Sequence, residues 1–311
     1  MIRQALSRYA YSNGAITDAD LFTAYLRYWG LDSKLQVATY SIRKTLTIPE
    51  LSQVITNPNG SLVTLRVIEG WRIEQIAEAI DALPELTFRG SDFLALVGAG
   101  AAQGSLVQQF VAQNGIPAGR SLEGFLYPAT YTIPVCETAP EVVSRFLNAF
   151  DANVSNQLRS DIAARNLTMY QVVTMASIIE REAVVDDERP TIASVYWNRY
   201  MNSISATPNT AIPTTLDADP TIQYALGNTR TAGNWWPSIT QADYRGVQSP
   251  YNTYLNRGLP PGPIANPRAA SIEAAAYPAQ TGYIYFRASC AGDGRHQFAT
   301  TFEEQVANGC S

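Results

Sequence analysis

The stretch Val172-Val-Thr-Met-Ala-Ser-Ile-Ile-Glu-Arg-Glu182 is an apolar segment that ends in two glutamates. Thr168, followed three residues later by Gln171, forms the capping-box pattern that begins a helix. At 100° per residue, the apolar side chains cover a broad arc and both glutamates fall among them, with Thr174 and Ser177 on the opposite side. The sequence therefore predicts a helix that carries two carboxyl groups in a mainly apolar environment.

An apolar environment changes what these two carboxyl groups can do. Burial disfavours the charged form, so the pKa rises toward neutrality, where a carboxyl can both donate and accept a proton. Glu180 and Glu182 cannot be distinguished by periodicity, because both flank the apolar arc. Two interpretations therefore stay open for the helix alone. Either one glutamate is an acid/base catalyst, or both are helix-end carboxylates paired with arginines such as Arg189 or Arg199.

The composition excludes several classes of protein. The 311 residues are 46% hydrophobic, which is enough for a full core, as one large domain with a smaller piece. A net charge of −5 without any basic block argues against nucleic-acid binding. Only 16% of residues are charged, whereas Tyr (17) and Trp (5) are frequent. Such a composition suits a groove for a polar, uncharged ligand such as a glycan, although core packing accounts for most of the rings.

Membrane and metal signals are both weak in this sequence. No run reaches the roughly 18–20 apolar residues that cross a bilayer, and residues 1–9 lack the apolar segment of a signal peptide. A single histidine, His296, and cysteines outside any CxxC motif argue against a zinc site and against a Cys/His or Ser/His nucleophile. We therefore expect no metal and no other cofactor. Cys290 and Cys310 could form a disulfide, but the sequence leaves this open, and Cys136 has no obvious partner.

The remaining periodicities predict an α+β fold. Helices are predicted over 16–29, 47–55, 73–83, 140–156, 191–200, 220–226 and 267–276, with further helical segments up to about 113. Strands are predicted over 37–42, 63–67 and 282–287, and again from 296. Residues 57–61 are a turn-rich domain boundary, 121–131 an aromatic loop that contains Glu123, and 202–215 a long loop that is either mobile or close to the site.

Two further segments could contribute to a binding site. Asp219 precedes Pro220 at a predicted helix start, where it could be an N-cap or a site residue. The stretches Ser249-Pro-Tyr-Asn-Thr-Tyr254 and Gly258-Leu-Pro-Pro-Gly-Pro-Ile264 are rigid loops. Their Tyr and Asn side chains could contact sugars, or the loops could simply be packed turns.

Taken in order, these motifs resemble the YceG-like family of endolytic murein transglycosylases. The resemblance rests on the glutamate helix, on Asp219-Pro-Thr, on the two rigid loops and on His296-Gln-Phe298, with Leu122-Glu-Gly-Phe-Leu-Tyr-Pro and Val67-Ile-Glu-Gly-Trp in support. It covers roughly residues 35–306. Each motif alone is weak, whereas the ordered set is specific.

The resemblance implies a mechanism and a set of site residues. Glu182 is implied as the catalytic residue: it would protonate the bond between N-acetylmuramic acid and N-acetylglucosamine and then deprotonate the muramic C6 hydroxyl, which leaves a 1,6-anhydro end. Asn198 would orient Glu182. The residues expected to bind the glycan are Glu123, Asp219, Tyr224, Tyr251, Asn252 and Tyr254. Ala129 and Asp217 depart from the family pattern, and Ala129 puts one substrate contact in doubt.

The resemblance also implies a domain organisation and a location. Residues 1–60 would be a truncated LysM-like module and residues 61–311 the transglycosylase domain. The protein would act outside the cytoplasm on peptidoglycan strands, and the family suggests peptidoglycan synthases as partners. Its usual N-terminal membrane helix would be missing here. Two rival functions stay open: a muramidase-type hydrolase that uses Glu182 with Asp219 or Glu180, and a non-catalytic glycan-binding protein of the cell wall.

Overall fold

The computed structural model describes residues 2–35, 47–56, 62–101 and 107–310. Helices dominate these ranges. They are α1 (Ile2–Ser12), α2 (Ala19–Tyr28), α3 (Ile48–Thr56), α4 (Ile73–Asp81), α5 (Gly90–Val97), α6 (Gln108–Asn114), α7 (Ala139–Asn153), α8 (Asn156–Ala164), α9 (Met169–Glu182), α10 (Arg189–Ile204), α11 (Asp219–Leu226), α12 (Asp243–Gly246), α13 (Ala269–Ala276) and α14 (Phe302–Ala307). The strands are β1 (Leu62–Arg66), β2 (Thr130–Pro134), β3 (Tyr285–Ala288) and β4 (His296–Ala299).

The strands form two small antiparallel sheets. β1 pairs with β2, with Leu62 opposite Pro134, and β3 pairs with β4, with Tyr285 opposite Ala299. Mixed helices and short sheets confirm the predicted α+β class. The strand at β1 was predicted, but β2 falls partly inside the segment that the sequence predicted as an aromatic loop. Its partner, β1, is distant in sequence, so no hairpin turn next to β2 marks it as a strand.

The predicted glutamate helix is α9, and it lies at the centre of the fold. Thr168 caps its start as expected, since its side chain accepts a hydrogen bond from the Gln171 backbone N–H. The helix is buried on all sides, because α8, α10, α11 and α13 pack around it. Thr174 and Ser177, which the periodicity placed opposite the apolar arc, are only 1% and 0% exposed. Their hydroxyls donate to helix carbonyls at 2.7 Å, so burial leaves neither hydroxyl unpaired.

Within the described ranges, the buried apolar residues separate into two clusters. The larger cluster runs from Leu65 to Ala276 and contains most of α9. The smaller one belongs to α1–α3 and includes Phe22, Leu26 and Leu51. The predicted strand at 37–42 and the predicted boundary at 57–61 lie outside the described residues. No helix in the described ranges is both long enough and apolar enough to cross a membrane.

Several element boundaries differ from the sequence prediction. The helix predicted over 140–156 is two helices, because the chain leaves helical geometry at Val154 and Ser155 caps the start of α8. α1 and α14 were not predicted. Cys290 and Cys310 form a disulfide with their Cα atoms 5.4 Å apart, which ties the end of the chain to the β3–β4 hairpin. Cys136 is free.

Candidate active site

Glu182, the last residue of α9, lies in the wall of a cleft of about 630 Å³. The Tyr196 hydroxyl, on the next helix, donates a hydrogen bond to Glu182 Oε1 at 2.7 Å. α10 also contributes Arg199 to the cleft. The other walls come from the start of α11 and the residues before it, from Tyr244 of α12, from Tyr254, from the β3–β4 hairpin and from α14. Glu182 is therefore held by its neighbours but remains reachable from the cleft.

The surroundings of Glu182 raise the pKa of its carboxyl to about 7. The largest cause is burial, which disfavours the charged form. The negative charge of Asp219 raises the pKa further, whereas the Tyr196 hydrogen bond and the positive charge of Arg181 lower it. Near neutral pH, this carboxyl can therefore both donate and accept a proton.

Glu180 has a different environment, although it lies only two residues away. It is buried, and its oxygens accept hydrogen bonds from the Arg268 N–H at 3.1 Å, from Arg268 Nε at 3.0 Å and from the Ser271 hydroxyl at 2.7 Å. Arg189 Nη1 lies 3.8 Å away, one of the two pairings that the sequence suggested. Arg199 instead pairs with Asp217. Glu180 is thus a structural carboxylate that joins α9 to the start of α13.

Asp219 and Tyr254 lie in the same cleft as Glu182. The Tyr254 hydroxyl donates to Asp219 Oδ1 at 2.6 Å, and burial raises the pKa of Tyr254, which keeps the hydroxyl protonated. Asp219 makes no side-chain capping bond to α11, so the alternative interpretation as an N-cap is wrong. Tyr254 stacks on Tyr244 with ring centroids 4.4 Å apart. This pair of rings forms an aromatic wall of the kind on which sugar faces can stack.

Two residues predicted to bind the glycan have no accessible surface in this structure. Glu123 and Asn252 are both 0% exposed. Glu123 accepts hydrogen bonds from the Ile73 N–H at 3.2 Å and from Asn266 Nδ2 at 3.0 Å, and burial raises its pKa to about 8. Asn252 accepts from the Tyr254 N–H at 2.9 Å. Glu123 therefore joins buried segments, and Asn252 supports a cleft residue from behind.

Three other predicted residues lie outside the lining of the cleft. Asn198 donates to the carbonyls of Thr281 at 3.0 Å and Tyr283 at 2.8 Å, so it does not orient Glu182. Residues two apart on a helix point about 200° apart, which is why Tyr196 takes the role that was predicted for Asn198. Tyr224 and Tyr251 contact each other, with ring centroids 4.7 Å apart, in a separate aromatic cluster.

Sequence reasoning missed several residues of the cleft. Tyr196 and Arg199 are three apart on α10 and therefore share one face of the helix. That spacing, directly after the glutamate helix, was the available signal. Tyr244, Phe286 and Phe302 also line the cleft, but no local pattern brings them together. Among the described residues, no group of three or more His, Cys, Asp or Glu side chains could hold a metal ion.

Comparisons with known proteins find one family and several similar sequences. The model of the YceG-like family matches residues 3–309. A Bacillus subtilis strain 168 protein named endolytic murein transglycosylase is 30% identical over 287 residues, which is 90% of this chain and 74% of that protein. A Streptococcus pneumoniae strain D39 protein of the same name is 27% identical over 314 residues. Those residues are 95% of this chain but 54% of the relative, so the chain spans about half the length of that relative.

A solved structure agrees with these matches over nearly the whole chain. The crystal structure of a putative YceG-like protein from Listeria monocytogenes superposes with a TM-score of 0.66 at 29% sequence identity. The superposition covers 98% of this chain and 94% of that one. With the family model, the Bacillus relative and the solved structure in agreement, the chain belongs to the YceG-like family.

Proposed function

We propose that this protein is an endolytic peptidoglycan lytic transglycosylase with Glu182 as its catalytic residue. The observation that carries the proposal is the carboxyl of Glu182, which faces the cleft with a pKa of about 7 while Glu180 is fully paired with protein groups. The substrate is the β-1,4 bond between N-acetylmuramic acid and N-acetylglucosamine. The names of the Bacillus and Streptococcus relatives support this choice of reaction.

In the proposed mechanism, Glu182 acts first as an acid and then as a base. The protonated carboxyl gives its proton to the glycosidic oxygen as the bond from that oxygen to the muramic C1 breaks. The resulting carboxylate takes the proton of the C6 hydroxyl of the same sugar, whose oxygen bonds to C1. The products are a free N-acetylglucosamine end and a 1,6-anhydro end. Because the attacking hydroxyl belongs to the substrate, one carboxyl is sufficient and the reaction uses no metal or cofactor.

Tyr196, Asp219 and Tyr254 have supporting roles in this proposal. The Tyr196 hydroxyl fixes the orientation of the Glu182 carboxyl and stabilises its charged form after the first proton transfer. The charge of Asp219 favours the protonated acid before that transfer. Tyr254, stacked on Tyr244, offers the neighbouring sugar a ring face. The cleft thus combines one titratable acid with the aromatic surface that a neutral glycan needs.

Mass spectrometry of digested sacculi tests the proposal. The wild-type protein should release fragments with 1,6-anhydro ends, and Glu182→Gln should lower cleavage by about 10²- to 10⁴-fold, the usual contribution of a general acid. Binding of Glu182→Gln to sacculi should persist, and Glu273→Gln, at an exposed glutamate of α13, should cleave normally. Reducing muramic ends would refute the reaction type, and full activity of Glu182→Gln would refute the assigned residue.

A hydrolase is the second candidate, because Asp219 lies in the same cleft as Glu182. In that case Asp219 would activate a water molecule or form a covalent intermediate, and the product would carry a reducing end. Asp219→Asn separates the two mechanisms. A hydrolase would lose nearly all activity, whereas the proposed transglycosylase would keep forming anhydro ends at a reduced rate. If the unmutated protein cleaves nothing, the third alternative, a glycan-binding scaffold, is favoured.

The proposal extends to domain organisation and location. We propose that residues 1–60 belong to a LysM-like module, which the separate apolar cluster of α1–α3 supports. We further propose that the protein acts outside the cytoplasmic membrane, since the Cys290–Cys310 disulfide suits an oxidising compartment. Native anchoring by an N-terminal helix and contact with peptidoglycan synthases rest on the family resemblance alone.

A further inference from the structure

Arg181, between the two glutamates of α9, is a half-buried cation with no carboxylate partner. Among the described residues, no group hydrogen-bonds or forms an ion pair with its guanidinium, and its Nε is buried without a partner. Other enclosed arginines are paired: Arg72 with Glu74, Arg189 with Asp186 and Arg199 with Asp217. A buried donor without an acceptor is costly, and the half-exposed guanidinium that carries this Nε has no anionic partner among the described residues. Arg181 is therefore a candidate ligand-binding residue.

Among the described residues, neither neighbouring glutamate forms a hydrogen bond or a close ion pair with Arg181. The oxygens of Glu180 are taken by Arg268 and Ser271, and Glu182 Oε1 accepts from Tyr196. The two carboxyls attract the guanidinium at longer range only. The helix thus places a free cation beside the proposed acid without neutralising it.

The guanidinium of Arg181 lies between two parts of the chain, the Trp236 ring and the Gly70 backbone. Its central carbon lies 4.0 Å from the centroid of the Trp236 ring, in a cation–π contact. On another side lies Gly70, where a Cβ atom would come within 3.2 Å of Arg181 Nη1. Trp236 is itself held by a hydrogen bond from its Nε1 to Gln75 Oε1 at 3.1 Å. The planar cation is therefore fixed in orientation, which favours a planar anion such as a carboxylate.

We infer that Arg181 binds a carboxylate of the substrate beside the bond that Glu182 cleaves. The inference rests on the proposed function and specifies its substrate further. Peptidoglycan can supply that carboxylate in two ways. One source is the peptide stem on the muramic sugar, and the other is the lactyl group itself, which becomes a free carboxylate when the stem is removed.

Three forms of one substrate distinguish these sources. They are glycan strands that carry stems, strands stripped by an amidase, and stripped strands whose lactyl carboxylates have been converted to neutral methylamides with a carbodiimide. Formation of anhydro ends is measured for wild type and for Arg181→Gln on each form. Wild-type activity on any form tests the proposed function independently of Arg181.

The expected result is a selective loss in Arg181→Gln. Its kcat/KM should fall about 10- to 100-fold on the form whose carboxylate Arg181 contacts, the range for losing a charge-assisted hydrogen bond, and stay within about threefold of wild type on the methylamide form. A loss confined to stem-bearing strands identifies the stem. A loss on stripped strands identifies the lactyl carboxylate. Arg66→Gln, at an exposed arginine of β1, should lower none of the rates.

Two results would overturn the inference. One is an equal loss on all three forms, with the same displacement of the pH–rate profile on each, because Arg181 would then only tune the pKa of Glu182. The other is no loss on any form. If Arg181→Gln does not fold, as judged by thermal unfolding, Arg181→Lys takes its place: it keeps the charge but lacks the planar pair of donors, so its loss should be smaller and confined to the same form of substrate. Binding of Glu182→Gln to stripped strands, which leaves Arg181 in place, should also weaken after methylamide formation if the lactyl carboxylate is the ligand.

Discussion

At the scale of single residues, Glu180 and Glu182 show how far environment separates two identical side chains. Glu180 is enclosed by Arg268, Arg189 and Ser271, so its carboxyl is occupied by protein groups and does not face the cleft. Glu182 has one hydrogen-bond donor, Tyr196, and a pKa of about 7. The difference comes from what packs against the end of α9, since the two residues share one helix and one sequence motif.

The Tyr196 hydrogen bond can be tested through pH dependence. It stabilises charged Glu182 and so lowers the pKa of that carboxyl. In Tyr196→Phe the pKa should rise above its wild-type value of about 7. Since the first step needs the protonated acid, activity is lost as pH increases through this pKa. The high-pH limb of kcat/KM should therefore move up by about 1–2 pH units.

Tyr170→Phe is a matched control for this experiment, because the Tyr170 hydroxyl donates to the Pro261 carbonyl at 2.9 Å, outside the cleft. Its high-pH limb should stay where it is in wild type. A Tyr196→Phe limb that stays in place, or moves to lower pH, would contradict the assignment of Glu182 as the titrating acid.

At the scale of elements, buried Glu123 joins the start of α4 to two loops. It accepts hydrogen bonds from the Ile73 N–H and from Asn266 Nδ2. Glu123→Ala should lower the free energy of unfolding by about 2–5 kcal/mol, because two buried donors lose their acceptor. Glu123→Gln, which keeps an acceptor oxygen, should lose clearly less. Urea unfolding of both variants measures the difference.

The activity of these variants distinguishes a structural role from the predicted glycan contact. Because Glu123 has no exposed surface, folded Glu123→Gln should cleave sacculi within about threefold of wild type. A tenfold or larger loss of cleavage activity in a fully folded Glu123→Gln variant would contradict the structural role and support the predicted glycan contact.

The Cys290–Cys310 disulfide stabilises one wall of the cleft. It closes a loop between cysteines 20 residues apart, and α14, inside that loop, contributes Phe302 and Gln305 to the cleft. Replacing both cysteines with serine should cost about 3 kcal/mol for the closed loop, and hydrogen exchange should speed up in α14. Cleavage of sacculi should also fall, because α14 forms part of the wall of the cleft. Cys136→Ser, at the free cysteine, should change neither measurement, and unchanged exchange in α14 without the disulfide would contradict this role.

At the scale of the whole molecule, the apolar core of the part that the structure describes consists of two separate clusters, one in α1–α3 and one around α9. Each cluster is expected to be a folding unit of its own. A chain of residues 61–311 should therefore unfold cooperatively and keep cleaving sacculi within about tenfold of the full chain, because every residue of the cleft lies beyond 61. Calorimetry and product analysis check this. An insoluble or non-cooperative product would show that α1–α3 is part of the catalytic fold.

Much of the secondary structure could be predicted, because it depends on local patterns. The capping box at Thr168, the helix at α4 and the strand at β1 all follow from periodicity and end signals within a few residues. α14 was missed because it has only six residues, and β2 because its partner strand is distant in sequence and no adjacent turn marks it. The substrate-binding residues were harder to predict than the secondary structure. Asp219 and Tyr254 line the cleft, whereas Glu123 and Asn252 are buried.

By itself, the sequence determined the α+β class, the helix with its two carboxyls and the family, since each of these follows from local patterns or from the order of the motifs. The family resemblance singled out Glu182, but periodicity could not. Only the tertiary structure decided which carboxyl is paired and which faces a cleft. The partners of Glu180, Arg268 and Ser271, lie 88 and 91 positions further along the chain. A pattern within a few residues cannot predict contacts between residues that far apart in sequence. The cleft likewise exists only because α10, the β3–β4 hairpin and α14 pack around the end of α9.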